Sequence, residues 1–230
     1  MPTTKHAALR APSGVRKASL SERRTVSGEV PPLSPYTFSS AASSPNGSFK
    51  SARLMATAWA KELDDKKRIT AARLFLAEAI NAFAQALAAS HGQQLDYLTP
   101  VPPKLLTGKL DKCARGLAVT LGEEVASIEP VTASFWLSAT YTALLPDGMR
   151  SSLGMFYTPP ALSDRLIEMA TEAGVDWSTA CVLDPACGGG AFLAPVAAKM
   201  IHALAERRPE EILQSVSGRL RGFEIDPFAA

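Results

Sequence analysis

Two acidic residues and a run of glycines carry the chemistry that this sequence suggests. Asp184 opens the segment Asp-Pro-Ala-Cys-Gly-Gly-Gly-Ala-Phe-Leu, and Glu224 lies in Gly-Phe-Glu-Ile-Asp-Pro near the end of the chain. Consecutive glycines permit a sharp turn and let a ligand approach main-chain N–H groups that a Cβ would block. A carboxylate such as that of Glu224 accepts hydrogen bonds from ribose hydroxyls. These residues together predict a site for a ribose-containing cofactor.

The elements around the glycines predict how the two acidic residues meet. The short apolar run 180–184 predicts a buried parallel strand, 191–204 a helix and 219–225 a second strand. Strand, turn, helix and strand form a βαβ unit, which predicts an open α/β sheet with a right-handed crossover. Asp184 and Glu224 then lie at the carboxyl ends of neighbouring strands, where ligands bind in such sheets. The amino terminus of the helix favours an anionic group such as a carboxylate.

Two common nucleotide motifs are excluded at this turn. The dinucleotide fingerprint requires a third glycine where Leu193 stands, and a P-loop requires Gly-Lys followed by Ser or Thr, which the turn lacks. Taken alone, the glycines would also suit a tight turn without a ligand.

A helix is predicted just before the first strand. Thr158 is its expected N-cap, prolines 159 and 160 suit the first turn, and Gly174 ends it after about 13 residues. Its apolar residues share one helical face: Leu162, Leu166, Met169 and Ala170.

The remaining composition divides the chain into three parts. Residues 1–50 are rich in Ser and Pro and carry more basic than acidic side chains, which predicts a disordered basic tail rather than an arm that contacts nucleic acid. Residues 51–150 are predicted to be a helical region that serves as a packing scaffold. Residues 151–230 are predicted to be a partial cofactor-binding domain.

Four helices are expected in the helical region. Two lie within 51–90, where an apolar stripe is expected, and two follow a proline-rich bend at 99–103, around 110–121 and 131–145. The stripe consists of Leu74, Ala77, Ile80, Ala84 and Leu87.

Charge and cysteine usage exclude several classes of protein. The net charge of +2 is too small to indicate nucleic-acid binding by itself. Three cysteines without Cys-x-x-Cys spacing and three scattered histidines indicate neither disulfides nor a metal site. No stretch approaches 18 uninterrupted apolar residues, and the amino terminus lacks the apolar core of a secretory signal. We therefore expect a cytoplasmic protein with no membrane partner.

Three segments in this order resemble the adenine-N6 DNA methyltransferases of restriction–modification systems. In that family an aromatic-Tyr-Thr-Pro segment precedes a turn of the type Asp-Pro-x-Cys-Gly-(Ser/Thr)-Gly-x-Phe, and a strand ending in Gly-x-Glu-(Ile/Leu)-Asp-Pro follows. The corresponding segments here begin at Phe156, Asp184 and Gly222, and the resemblance covers about residues 131–230. It implies the start of a Rossmann-like sheet that binds S-adenosylmethionine, preceded by a helical region.

The resemblance also implies roles for individual residues. Four residues would close over the methionine part of the cofactor: Phe156, Tyr157, Thr158 and Pro159. Four others would hold its amino-acid end: Asp184, Ala186, Gly188 and Gly190. Glu224 would bind the ribose hydroxyls and Ile225 would contact the adenine ring.

The sequence departs from the family in two places. Gly189 stands where Ser or Thr is usual, and Pro195 lies early in the helix after the turn, where it could kink the first turns. Cys187 has no nearby His to activate it, so we interpret it as a small buried residue rather than a nucleophile.

No catalytic residue is assigned, because the family takes its catalytic motif, Asn/Asp/Ser-Pro-Pro-aromatic, from a later strand. None of the three Pro-Pro pairs here has such neighbours. We therefore expect a chain truncated after the second strand and inactive alone. DNA would then be bound through the missing carboxy-terminal part, and a partner polypeptide could supply it.

Two alternatives remain open. The chain could be part of an RNA or protein-glutamine methyltransferase, although Phe-Tyr-Thr-Pro before the turn argues against this. It could also be a non-catalytic module that binds the cofactor or docks onto a partner.

Overall fold

The computed structural model describes residues 45–95, 106–155, 158–226 and 228. They all belong to one of the two compact units into which the chain divides, Pro35–Ala230. Most of the predicted tail and two predicted site residues, Phe156 and Tyr157, lie outside the described residues. Within them the protein is mostly helical, with one small parallel sheet, as expected for part of an α/β methyltransferase.

Four helices form the amino-terminal part of the described chain, in agreement with the sequence. Each begins after an acidic or amide side chain that accepts hydrogen bonds from amides of the first turn, which satisfies donors that a helix leaves unpaired. The capping residues are Asn46, Asp64, Asp111 and Glu129. The helices are α1 (Gly47–Lys61), α2 (Asp65–Ser90), α3 (Lys112–Val125) and α4 (Pro130–Leu144). Helix α1 thus begins before residue 50, inside the range predicted as tail.

Helix α2 is present, and the predicted apolar stripe along it is buried only in part. Of its five residues only Ala77 is fully buried, and the buried residues lie mainly on a neighbouring face that includes Ala72, Phe75, Ala79 and Ala82. The physical reason is that α2 packs against α1, α3 and α4. Small residues on the face toward α3 allow the two helices to approach closely, so side-chain size as well as hydrophobicity selects the buried face.

Two further helices lead to the sheet. Helix α5 (Asp147–Leu153) ends at Gly154, which has φ of 62°, and α6 (Pro160–Glu172) has the predicted length of 13 residues. The predicted N-cap was wrong, because Pro159 occupies that position and no side chain caps α6. Its apolar residues Leu162, Leu166 and Met169 are exposed, while Ile167 is buried.

The predicted βαβ unit is present in outline. Strands β1 (Val182–Asp184) and β2 (Leu220–Gly222) pair in parallel, with Asp184 opposite Gly222. They are connected by α7 (Leu193–Ala203) and by α8 (Pro209–Arg219), a helix that the sequence analysis did not predict. The expectation that the first strand is buried was wrong, because the Leu183 side chain is 58% exposed.

Two apolar clusters stabilise these elements. One unites α1 to α4 and includes Met155 and Phe228 from the segments on either side of the sheet region. The other joins α6, α7 and α8 to the sheet through residues such as Ile167, Met200 and Val216. Among the residues described, no helix is both long and apolar enough to cross a membrane.

Candidate functional site

The ends of the two strands bring the predicted acidic residues to one edge of the sheet. Asp184 is the last residue of β1, and Glu224 follows β2 by two residues. The glycine turn between β1 and α7 folds back over this edge, where the amide of Gly188 donates a hydrogen bond of 2.8 Å to Oε2 of Glu224. The two segments that the sequence singled out are therefore in direct contact.

Hydrogen bonds within this edge fix the course of the turn. The amide of Ala186 donates to Oδ1 of Asp184 (3.1 Å), and that of Cys187 donates to the carbonyl of Phe223 (2.9 Å). The amide of Gly190 donates to the carbonyl of Cys187 (2.8 Å). Several N–H groups that the sequence analysis left available for a ligand thus already have acceptors, because the turn is anchored to its own strand ends.

The backbone conformation explains which glycines the turn requires. Gly188 and Gly190 have φ of 50° and 81°, in the left-handed region that other residues rarely adopt. Gly189 does not have a positive φ. Its backbone therefore accommodates a side chain, which agrees with the Ser or Thr expected at this position from the resemblance.

Both oxygens of the Glu224 carboxylate accept hydrogen bonds from backbone amides, and the carboxylate can still accept further hydrogen bonds. Oε2 accepts from Gly188, and Oε1 accepts from the amide of Asp226 at 2.9 Å. An ionised carboxylate offers about four lone-pair sites. Glu224 is partly exposed, so its remaining sites can accept hydrogen bonds from a ligand.

A cleft of about 230 Å³ opens beside Glu224. It brings together six of the predicted residues: Thr158, Asp184, Ala186, Gly188, Glu224 and Ile225. Gly190 instead lines a small neighbouring pocket together with Thr158, and Pro159 lines neither. Pockets that enclose a complete drug-sized ligand usually measure ~300–1,000 Å³, so this cleft has room for only part of a ligand of that size.

Seven further residues line this cleft and were not predicted as site residues: Leu153, Gly154, Met155, Pro185, Cys187, Ala191 and Phe192. Four of them lie within the glycine segment itself, so adjacency to the motif was the available signal. The other three are contributed by the end of α5 and the segment after it. They directly precede Phe156, so adjacency to a predicted motif was the available signal for them as well.

Cys187 behaves as a packing residue in this site. Burial raises the pKa of its thiol, and the nearby carboxylates of Asp184 and Glu224 raise that pKa further. The thiol is therefore protonated at neutral pH, which disfavours a nucleophilic role. Its Sγ lies only 2.8 Å from the position that a Cβ on Gly222 would occupy.

This close approach predicts the effect of enlarging Gly222. In Gly222→Ala the new methyl group would also lie 2.5 Å from Cδ1 of Leu193. We expect the substitution to lower the free energy of unfolding by about 1–3 kcal/mol, the usual cost of overpacking. Gly218→Ala in α8 is the matched control, since its Cβ would meet no atom within 4 Å. Urea denaturation compares the two variants, and equal stability of both would show that β2 does not pack against the turn as described.

Helix α4 also contacts the glycine turn, a role that the sequence analysis did not assign to the helical region. The hydroxyls of Ser134 and Ser138 each donate to the carbonyl of Gly189 at 3.4 Å. The two serines are four residues apart and so lie on the same face of α4. The helical region is thus in contact with the turn as well as being a packing scaffold.

Comparison with known proteins gives a family match for this part of the chain. The family model for N-6 DNA methylase matches residues 138–224, from the middle of α4 to Glu224. Neither the curated proteins nor the solved structures contain a significant match to the chain. The matched region holds the α4 carboxy-terminal half, both strands, the glycine turn and Glu224. In residues 138–224 the chain is therefore similar to the N-6 DNA methylases.

Proposed function

We propose that this chain is the S-adenosylmethionine-binding part of an adenine-N6 DNA methyltransferase. The observation that carries the proposal is the Glu224 carboxylate, which is fixed at the end of β2 by two backbone amides and faces the cleft beside the glycine turn. A carboxylate in this position of an α/β sheet is suited to accept hydrogen bonds from two adjacent ribose hydroxyls. The family match supports the same cofactor.

The remaining cleft residues fit the other parts of that cofactor. Ile225 is 75% exposed next to Glu224, and its apolar side chain offers a surface for an adenine ring. Asp184, Ala186, Gly188 and Gly190 belong to the turn that we assign to the amino-acid end. Asp184 supplies the acidic side chain of this turn. Its carboxylate would therefore accept a hydrogen bond from the ammonium group of the cofactor.

The segment before α6 would complete the binding site on the methionine side. Thr158 lines the cleft, Pro159 precedes α6, and we assign Phe156 and Tyr157 to the same role from the resemblance alone. When bound, S-adenosylmethionine supplies a methyl group on a sulfonium centre that is ready for transfer. The residues of this chain would bind and orient the cofactor, and no catalytic residue is assigned among them.

We further propose that methyl transfer needs an additional segment. The acceptor would be the exocyclic amino group of adenine in DNA, which must be flipped out of the duplex and oriented by hydrogen-bond acceptors. The 230 residues contain no Asn/Asp/Ser-Pro-Pro-aromatic motif for this task. A partner polypeptide or a further segment would supply it, in a cytoplasmic restriction–modification system.

A second candidate is a cofactor-binding module that docks onto a partner without catalysing a reaction. The observation that favours it is apolar surface on the elements around the sheet. Leu162, Leu166 and Met169 lie exposed on one face of α6, and the Leu183 and Phe223 side chains are 58% and 64% exposed. In the first candidate, the same surface would be covered by the remaining strands of a complete methyltransferase domain. Both candidates have the cleft bind the cofactor.

The experiment that tests the proposal measures binding and transfer with the same preparation. Isothermal titration calorimetry of the 230-residue chain should detect S-adenosylmethionine and S-adenosylhomocysteine, while ATP should not bind. Incubation with tritiated S-adenosylmethionine and unmethylated DNA should give no labelled DNA. Absence of binding would contradict the cofactor assignment, and labelled DNA would contradict the need for an additional segment.

A further inference from the structure

A buried carboxylate joins the helical region to the cofactor cleft. The side chain of Asp226 is 1% exposed, and three groups donate hydrogen bonds to it. The Arg73 guanidinium donates to Oδ1 at 3.2 Å, the Tyr141 hydroxyl donates to Oδ2 at 2.9 Å, and the amide of Phe228 donates to Oδ1 at 3.1 Å. Burial of a charge is tolerated only when it is paired and hydrogen-bonded in this way.

Apolar contacts reinforce the same junction. The Phe228 ring packs on the Tyr141 ring with centroids 5.0 Å apart, and the Arg73 guanidinium lies 5.9 Å from the centroid of Phe228. Arg73 belongs to α2 and Tyr141 to α4, so two separate helices hold one short segment after β2. This segment is therefore fixed by the helical region and not by the sheet alone.

The anchored residue is directly connected to Glu224. The amide of Asp226 donates to Oε1 of Glu224 at 2.9 Å, and Oε2 of Glu224 accepts from Gly188. Any displacement of Asp226 would remove one of the two hydrogen bonds that hold the Glu224 carboxylate.

We propose that Arg73 and Tyr141 are positioning residues that act through Asp226 to hold Glu224 in the orientation that binds ribose. The inference rests on the proposed cofactor function and assigns a specific part of it to the helical region. Burial, together with the charge of Asp226, raises the pKa of Tyr141. Tyr141 thus stays a neutral donor throughout the ordinary pH range.

Two conservative variants test the role of these side chains. Tyr141→Phe removes only the hydroxyl, and Arg73→Lys keeps the charge but loses the planar guanidinium. The readout is a pair of dissociation constants measured by calorimetry, one for S-adenosylhomocysteine and one for its analogue without the 2′- and 3′-hydroxyls. Each variant should bind S-adenosylhomocysteine about tenfold more weakly, by analogy with the ~10- to 100-fold losses that follow when residues orienting metal-ligating side chains are replaced.

The analogue separates positioning from general stability. Because it lacks the hydroxyls that Glu224 would bind, its dissociation constant should be the same for the wild-type protein and for both variants. Arg165→Lys, which alters an exposed ion-pair network on α6, is the matched control and should leave both constants unchanged. Measurements are made well below the melting temperature of each variant.

The two dissociation constants distinguish failure of the positioning role from failure of the proposed cofactor function. Equal weakening for both ligands, or no weakening for either, would overturn the positioning role while leaving the proposed function intact. If the wild-type protein binds neither ligand, the proposed function itself is wrong and the positioning role is wrong with it. Selective weakening for S-adenosylhomocysteine supports both.

Discussion

Replacing Glu224 with alanine should weaken the binding of S-adenosylhomocysteine roughly 10- to 150-fold. The reason is the loss of charge-assisted hydrogen bonding to the ribose hydroxyls, for which we expect a total cost of about 1.5–3 kcal/mol. The substitution also removes the acceptor for the amides of Gly188 and Asp226, so the turn loses a restraint. Calorimetric titration of the variant and the wild-type protein measures the effect.

Two comparisons make this prediction specific to the site. Glu206→Ala removes an exposed acidic residue elsewhere and should leave affinity unchanged. Glu224→Gln retains one oxygen acceptor and should lose less affinity than Glu224→Ala. Unchanged affinity in Glu224→Ala, with the protein still folded by circular dichroism, would remove Glu224 from the cofactor site.

Gly122→Ala should be the most destabilising small substitution in the helical region. A Cβ at this position of α3 would lie 2.2 Å from the carbonyl oxygen of Ala79 and 2.7 Å from the Cβ of Ala82, both on α2. The carbonyl oxygen is a backbone atom that cannot rotate away, so the two helices would have to separate. We expect a loss of about 3 kcal/mol or more in the free energy of unfolding, at the upper end for overpacked cores.

Gly116→Ala provides the control on the same helix. Its Cβ would meet no atom within 4 Å, so the change from Gly to Ala should stabilise α3 by about 0.5–1 kcal/mol through helix propensity. Thermal and urea denaturation of both variants give the comparison. Similar stability for Gly116→Ala and Gly122→Ala would contradict the close packing of α2 on α3.

Local sequence signals were sufficient for most of the secondary structure. The two strands, the helix after the glycine turn and the 13-residue α6 follow from proline, glycine and apolar patterning, because these signals act over a few residues. Helix α8 was missed although Pro209 stands at its first position, a known helix start signal. Proline at the start was the available signal, but the rest of α8 is polar and shows little apolar periodicity.

Tertiary contacts were much less accessible from the sequence. Ser134, Ser138 and Tyr141 lie at i, i+4 and i+7 on α4, so their hydroxyls share one face of the helix, a spacing that could have drawn attention. Their partners, Gly189 and Asp226, are between 51 and 85 residues away in the chain. No local pattern specifies such a pairing, so the contact of the helical region with the cleft required the structure.

Local sequence patterns also did not show which face of α6 is exposed. The apolar residues of α6 predicted a helix correctly, but periodicity does not indicate which neighbour covers a face. Here Leu162, Leu166 and Met169 are exposed, and Ile167 packs into the cluster around α7 instead.

A crystal structure of the chain with S-adenosylhomocysteine would show whether the cleft beside Glu224 binds the cofactor. We expect both ribose hydroxyls within hydrogen-bond distance of the Glu224 carboxylate, the adenine against Ile225 and the amino-acid end at the turn between Asp184 and Gly190. Asp226 should keep its contacts with Arg73 and Tyr141 in that complex. A ligand bound elsewhere, or an empty cleft at saturating ligand concentration, would contradict the assignment of this cleft to the cofactor.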